Sequence, residues 1–383
     1  MNITFLMGNG FDIGVGLESK FEQFFPTYID KSKNKSEGLK QLAIDIEIDC
    51  KKNGYYKTWA DFEKALGEYT LQFDAKTKEK FIDQVLDFQA DFNDYLKDEE
   101  QKLSFEENED ICDMMLKALT QYYLDDNLAP ESKGRISAIY SSHATESHKY
   151  NFINYNYTGV LTNCLKTIPN NVVRKRSYHG EWVDKVGEIV HVHGKIGAHP
   201  IIGVNDVGQI ANKELSEDSQ FARFIVKPLM NQLVRQENDV NAKKLIDAST
   251  ILCIYGMSLG STDKKWWDSI LNWLNNNKER QLVLFDYDKK YTPSSPIAWI
   301  KKEDTQIEKL ADYNSNQNID VEKLRSRIHI AVHKNIFQID LRKESVRARR
   351  LKKIEETAQI AADKVREEQI SKAVEEALKM TTA

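Results

Sequence analysis

The chain opens on a short apolar stretch, ITFLM at 3–7, and breaks at once into GNGFDIGVG at 8–16, a pattern that predicts a strand running into a glycine-rich turn. LESKFEQFF then reads as a helix. From about Ser36 to Leu124, segments such as EGLKQLAIDIEIDCKKN, TWADFEKALGEYT and KEKFIDQVLDFQADFNDYL set apolar residues at helical spacings among Lys, Glu, Asp and Gln. Such spacing predicts several amphipathic helices, each burying one face. Strand patterns return past DDNLAPESKG, at NFINYN (151–156), NVVRKRSYHG (171–180), EIVHVHG (188–194) and PIIGV (200–204). FARFIVKPLMNQLVRQ predicts a helix that Pro228 kinks or divides. TILCIYG (250–256), WWDSILNWL and QLVLFDY predict strand, helix and strand, and IHIAV (328–332) and IFQID (336–340) two late strands.

Residues 341–383 carry alternating charges, with Leu351, Ile354, Ala358, Ala361 and Val365 at three- and four-residue spacings. This predicts a C-terminal amphipathic helical extension whose stripe packs on the body or on a second subunit. The RARRLKK at its start also suits phosphate contact, but ordinary packing or oligomerisation is the favoured reading. Together the elements predict an α/β protein. One core spans residues 1–340 and is interrupted by a helical insertion at 36–145; the extension follows at 341–383.

Composition narrows the class. With 41% hydrophobic residues in 383, the chain has material for a large core, and 7 prolines, 17 glycines and four cysteines (Cys50, Cys112, Cys164, Cys253) exclude a collagen, a Pro-rich stalk and a disulfide scaffold. A formal charge of -5 does not select generic capture of nucleic acid, so no stable nucleic-acid partner is expected. No apolar run approaches the roughly 20 residues of a membrane span, and no basic leader opens the chain. A cytoplasmic protein without a membrane partner is expected.

Four segments carry candidate chemistry. Gly8, Gly10, Gly14 and Gly16 follow a strand, where missing side chains permit a tight turn and close approach of phosphate, or simply build a structural turn. Ile13 stands where a dinucleotide fingerprint has its third glycine, so the ordinary dehydrogenase pattern fails. In NYNYTGVLT (154–162), Asn154 and Asn156 can orient ribose or water, while Thr158 can instead cap a helix and Tyr155 and Tyr157 pack in the core. In HVHGKIG, strand alternation puts His191 and His193 on one face. No cysteine or carboxylate completes a metal pattern around them, and His193 suits a general base or a substrate-orienting group. In TILCIYGMSLGSTDKKWW, Gly256, Ser258 and the turn Gly260–Asp263 can offer nucleotide contacts, and Asp263 can equally cap the next helix. Trp266, Trp267 and Trp273 read as core or interface residues.

The ordered set LMGNGFDIGVGLESKFEQF, NYNYTGVLT, HVHGKIG, PIIGVND and CIYGMSLGSTDKKWW resembles the bacteriophage abortive-infection AbiH family, through about residue 290. AbiH proteins are similar in architecture and motif order to the SIR2-like group, which implies a Rossmann-like parallel-sheet core that binds NAD and includes defence enzymes that hydrolyse it. Against the sirtuin pattern GAGxSxxxGxP, Gly8, Gly10 and Gly16 match, Asn9 lies between the first two, and Asp12 and Glu18 replace the usual serine and proline. Asn156 keeps the asparagine of the NxD element associated with ribose and catalytic water, and Thr158 replaces its acid. His193-Gly194 and Gly256-Met257-Ser258 correspond to the later elements, and no paired cysteines supply the zinc module of a deacylase.

The resemblance implies an antiphage protein that hydrolyses the nicotinamide–ribose bond of NAD, with His193 and Asn156 catalytic. The nucleotide contacts would be Gly8, Asn9, Gly10, Asp12, Gly16, Asn156, Thr158, Gly256, Ser258 and Asp263, with no metal. The competing reading is a nucleotide sensor or interaction protein without turnover, engaging a phage-derived trigger or a second copy of itself.

Overall fold

The computed structural model describes residues 1–59, 61–106, 108–124, 128–198, 200–287, 295–316, 318–332 and 335–381. Its strands are β1 (Asn2–Met7), β2 (Lys149–Asn154), β3 (Val172–Ser177), β4 (Glu181–His191), β5 (Ile251–Tyr255), β6 (Gln281–Asp286) and β7 (Ile328–Val332). They form one sheet in the order β3-β4-β2-β1-β5-β6-β7, parallel throughout except for the β3/β4 pair. Ranked along the chain, the six parallel strands lie third, second, first, fourth, fifth, sixth. Strand order therefore reverses between β1 and β5, whose ends register as Met7 opposite Tyr255.

The central strands are apolar on both faces because both faces are covered. Along β1, Ile3, Phe5 and Met7 enter one layer with Phe152, Tyr122 and Phe337, while Leu6 enters the opposite layer with Ile254, Trp267 and Trp273. Between β1 and β2 the chain builds seven α-helices among the described residues. Phe21–Ser32, Glu37–Asn53, Phe62–Tyr69 and Lys78–Gln101 enclose a third, aromatic-rich core in which Phe62 and Phe88 stack at 4.2 Å. The helices Asn108–Gln121 and Pro130–Ser142 instead lie on the sheet, with Ile111, Met115, Leu119 and Ile136 sharing the layer of Phe5.

Three expected elements differ. PIIGV forms no strand: Ile202 and Val204 are buried in the third core, and Val204 makes only an isolated bridge to Val226. IFQID also forms none; its apolar character serves burial of Phe337 against Phe11 and Tyr255, and the Leu341 amide donates to Val15 O. β4 starts at Glu181, well before 188, because its polar outer half pairs with β3. The predicted division at Pro228 is present: helices Ser219–Ile225 and Lys227–Leu233 meet at Val226, with Pro228 in the first turn of the second, where its missing N–H costs nothing. Helix Lys343–Thr381 anchors through buried Val346, and residues 351–374 are exposed. Among the described residues no helix is long and apolar enough to cross a membrane.

At the reversal point the loops after β1 and β5 touch backbone to backbone. Gly8 N donates to Tyr255 O (2.9 Å) and Gly10 N to Gly256 O (2.8 Å), while Gly256 sits at φ +68. A Cβ on Gly10 would lie 2.5 Å from Gly256 Cα. Gly10→Ala is therefore expected to lower stability by about 1–3 kcal/mol, the usual cost of overpacking. Gly38→Ala, on the exposed side of a helix with nothing within 4 Å of the new methyl, should raise it by up to about 1 kcal/mol. Thermal melting of the two variants reads the contrast, and equal melting temperatures would remove the contact from its structural role.

Candidate functional site

The touching loops form the floor of a crevice at the carboxyl ends of the strands. A cavity of ≈ 360 Å³ opens there, and loops after β1, β2, β4 and β5 all reach it. Gly8, Asn9 and Asp12 come from the first, Asn156 and Thr158 from the second, His193 from the third, and Gly256, Ser258 and Asp263 from the last. Gly10 lines a neighbouring cavity of ≈ 660 Å³, which shares Asn9, Phe21, Gly256, Met257 and Ser258 with the first. Gly16 lies in neither; at φ +98 it packs against Asp340 and Arg342.

Asp12 sits in the first turn of the short helix Gly10–Gly14 and is buried. Thr158 Oγ1 donates to Asp12 Oδ2 (2.6 Å) and Asn156 Nδ2 to Asp12 Oδ1 (3.1 Å). Burial pushes the Asp12 carboxyl up to about 7; the Glu100 carboxylate adds to the rise, and the two hydrogen bonds oppose it. Asn156 Nδ2 also donates to Gly8 O (3.2 Å), so both amide protons tie the β2 loop to the β1 loop. Thr158 is not a helix cap; Gly159 precedes the helix Val160–Lys166.

Across the cavity, Asp263 stands at the N-terminus of helix Lys264–Asn276 without capping it and accepts from Asn205 Nδ2 (3.0 Å). Its carboxyl is also pushed up to about 7, by burial and then by the Glu63 and Asp61 carboxylates, against Lys227 and the Asn205 hydrogen bond. Lys227 is buried and ion-paired with Glu63. Burial holds the His193 imidazole well below 6.5, and the Lys227 charge adds to this, so His193 is neutral at physiological pH. The His193 ring meets Tyr155 edge-on at 5.6 Å, and the Tyr155 hydroxyl is buried without a hydrogen-bond partner.

β4 ends at His191, so strand alternation does not extend to His193. His191 contacts Asn154 Nδ2 (3.4 Å) and Thr162 Oγ1 (3.1 Å), whereas His193 packs against Tyr155 and Tyr157. Asn9 engages Ser19 through both ends of its amide. The backbone N–H groups of Met257, Ser258 and Leu259 have no acceptor among the described residues. Trp267 and Trp273 are core, while Trp266 is half-buried beside Tyr155. Among the described residues no three His, Cys, Asp or Glu side chains are grouped to hold a metal ion.

Sequence reasoning overlooked Asp61 and Glu63, which flank Phe62 and line the cavity, and Lys227 behind them. The only local signal was the acid at the N-cap of helix Phe62–Tyr69, where Asp61 accepts from the Lys64 amide.

The fold and crevice define an α/β protein whose polar cavity lies where strand order reverses and is roofed by helices. Residues 4–285 match the family described as bacteriophage abortive infection AbiH. The chain belongs to the AbiH family. No curated protein matches the chain.

Asp12 is expected to titrate near pH 7, and Thr158→Val to move its midpoint higher, because the lost hydrogen bond favours the ionised carboxylate. Carboxyl carbon chemical shifts followed against pH check both; a midpoint near the ordinary 3.8 would contradict the burial argument.

Proposed function

We propose that the crevice binds NAD and hydrolyses the bond between nicotinamide and ribose, as the SIR2-like resemblance implies. The observation that carries this reading is the Asp12 carboxyl, poised at about 7 in the cavity wall and held by Asn156 and Thr158. Two further features support it. The strand ranking is that of Rossmann-like sheets, in which dinucleotides lie across the reversal point, and two cavities meet there along Gly256–Ser258.

In the reaction, ionised Asp12 accepts a proton from water as the water oxygen bonds to C1′ of the ribose. The C1′–N bond breaks with its electron pair moving to the ring nitrogen, so nicotinamide leaves neutral, with ADP-ribose and one proton as the other products. Asn156 and Thr158 keep the carboxylate aimed, which makes Asn156 a positioning residue in this scheme. Neutral His193 accepts a hydrogen bond from a ribose hydroxyl rather than donating a proton. Gly8 and Gly10 have already given their N–H groups to Tyr255 and Gly256, so the free N–H groups of Met257 to Leu259 are the better diphosphate contacts.

Binding without turnover is the second reading, a nucleotide sensor, and one observation favours it: both Asn156 amide protons are committed within the protein. The exposed stretch of helix at residues 351–374 offers a surface for a second subunit or a phage-derived trigger.

Purified protein incubated with NAD should release nicotinamide and ADP-ribose, with kcat rising as pH increases through about 7 as Asp12 ionises. Asp12→Asn should reduce kcat by roughly 10²–10⁴, the usual range for a lost general base, with NAD binding retained. His193→Ala and Asn156→Ala should also impair turnover. NAD binding with neither product, in the presence of phage components as well, would select the sensor.

A further inference from the structure

We infer, resting on the nucleotide reading above, that the ≈ 360 Å³ cavity receives a planar aromatic cation, a pyridinium, and that the phosphates of the same ligand lie outside it. The charge of the lining sets the sign. Asp12, Asp61, Glu63 and Asp263 line this cavity, and among the described residues no lysine or arginine does. Lys227, whose charge acts on Asp263, is buried and bound to Glu63, and it does not line the cavity. A phosphate placed here would face carboxylates on both sides, with Lys227 already paired to one of them.

The remaining lining fits a flat ring. Phe21 stacks on Phe62 at 4.7 Å and on Phe92 at 4.6 Å, and all three line the cavity together with Tyr155 and Tyr157. Aromatic surfaces joined to carboxylates attract an aromatic cation both electrostatically and by contact. The Tyr155 ring, 8% exposed, completes this aromatic wall. The neighbouring ≈ 660 Å³ cavity carries lysines as well as acids, Lys20 and Lys309 beside Glu22 and Asp286, and it adjoins Met257 to Leu259, whose N–H groups have no acceptor among the described residues. The cationic head therefore lies in the cavity lined by acids alone, and the phosphates lie across the Gly256–Ser258 lip.

The test compares binding of 1-methylnicotinamide, a permanent cation, with binding of neutral nicotinamide to the full chain by calorimetry, with NAD as competitor. The cation is expected to bind at least ten-fold more tightly and to be displaced by NAD. Asp61→Asn keeps the helix cap while removing one charge, and Asp263→Asn removes another; each should cut the preference several-fold at an unchanged melting temperature. Equal affinities, or binding of neither probe, would overturn the inference even if NAD is hydrolysed. A preserved cation preference without NAD turnover would reject hydrolysis and leave cation recognition standing.

Discussion

The crevice depends on a contact between two backbones, Gly8 to Gly10 after β1 and Gly256 after β5. At a point where strand order reverses, neighbouring loops lead away to opposite faces of the sheet and leave an open cleft. Here the missing side chains let those loops meet, so the cleft acquires a floor and divides into two cavities along Gly256–Ser258. The same contact consumes the Gly8 and Gly10 N–H groups. These glycines consequently build the floor, and the N–H groups of Met257, Ser258 and Leu259 have no acceptor among the described residues.

Burial then redistributes protonation among the side chains above that floor. A free imidazole titrates near neutrality and a free carboxyl well below it, which makes histidine the natural proton carrier on residue type alone. In this interior the order is reversed. Asp12 and Asp263 are lifted to about 7, while His193, surrounded by aromatic rings and facing Lys227, is driven well below 6.5. The group that titrates near neutrality is a carboxyl, and the imidazole stays neutral there.

Much of the fold was legible because central parallel strands announce themselves as short apolar runs: ITFLM, TILCIYG and IHIAV all became strands of the sheet. PIIGV and IFQID carried the same signal without becoming strands, since an apolar run reports burial and not pairing; Val204 and Phe337 are buried from loops. The cavity was legible wherever a glycine or asparagine motif followed a strand, as at Gly8, Asn156 and Gly256. Gly16 belonged to the same motif, yet its positive φ serves packing against Asp340 and Arg342. Glu63 and Lys227 had no signature, being 164 residues apart and joined only by folding.

The helices between β1 and β2 thus contribute to the site and not only to bulk. Stacking of Phe62 on Phe88 and Phe21 fixes the start of helix Phe62–Tyr69, and Asp61 and Glu63 flank that anchor. Their carboxylates act on Asp263, which the β5 loop supplies, so the electrostatic character of the cavity belongs jointly to the sheet and to the helical layer. A glycine-lined floor of this kind suits nucleotides in general. What distinguishes this one is the wall above it, where aromatic packing in the third core brings negative charge to bear on a group at the end of the sheet.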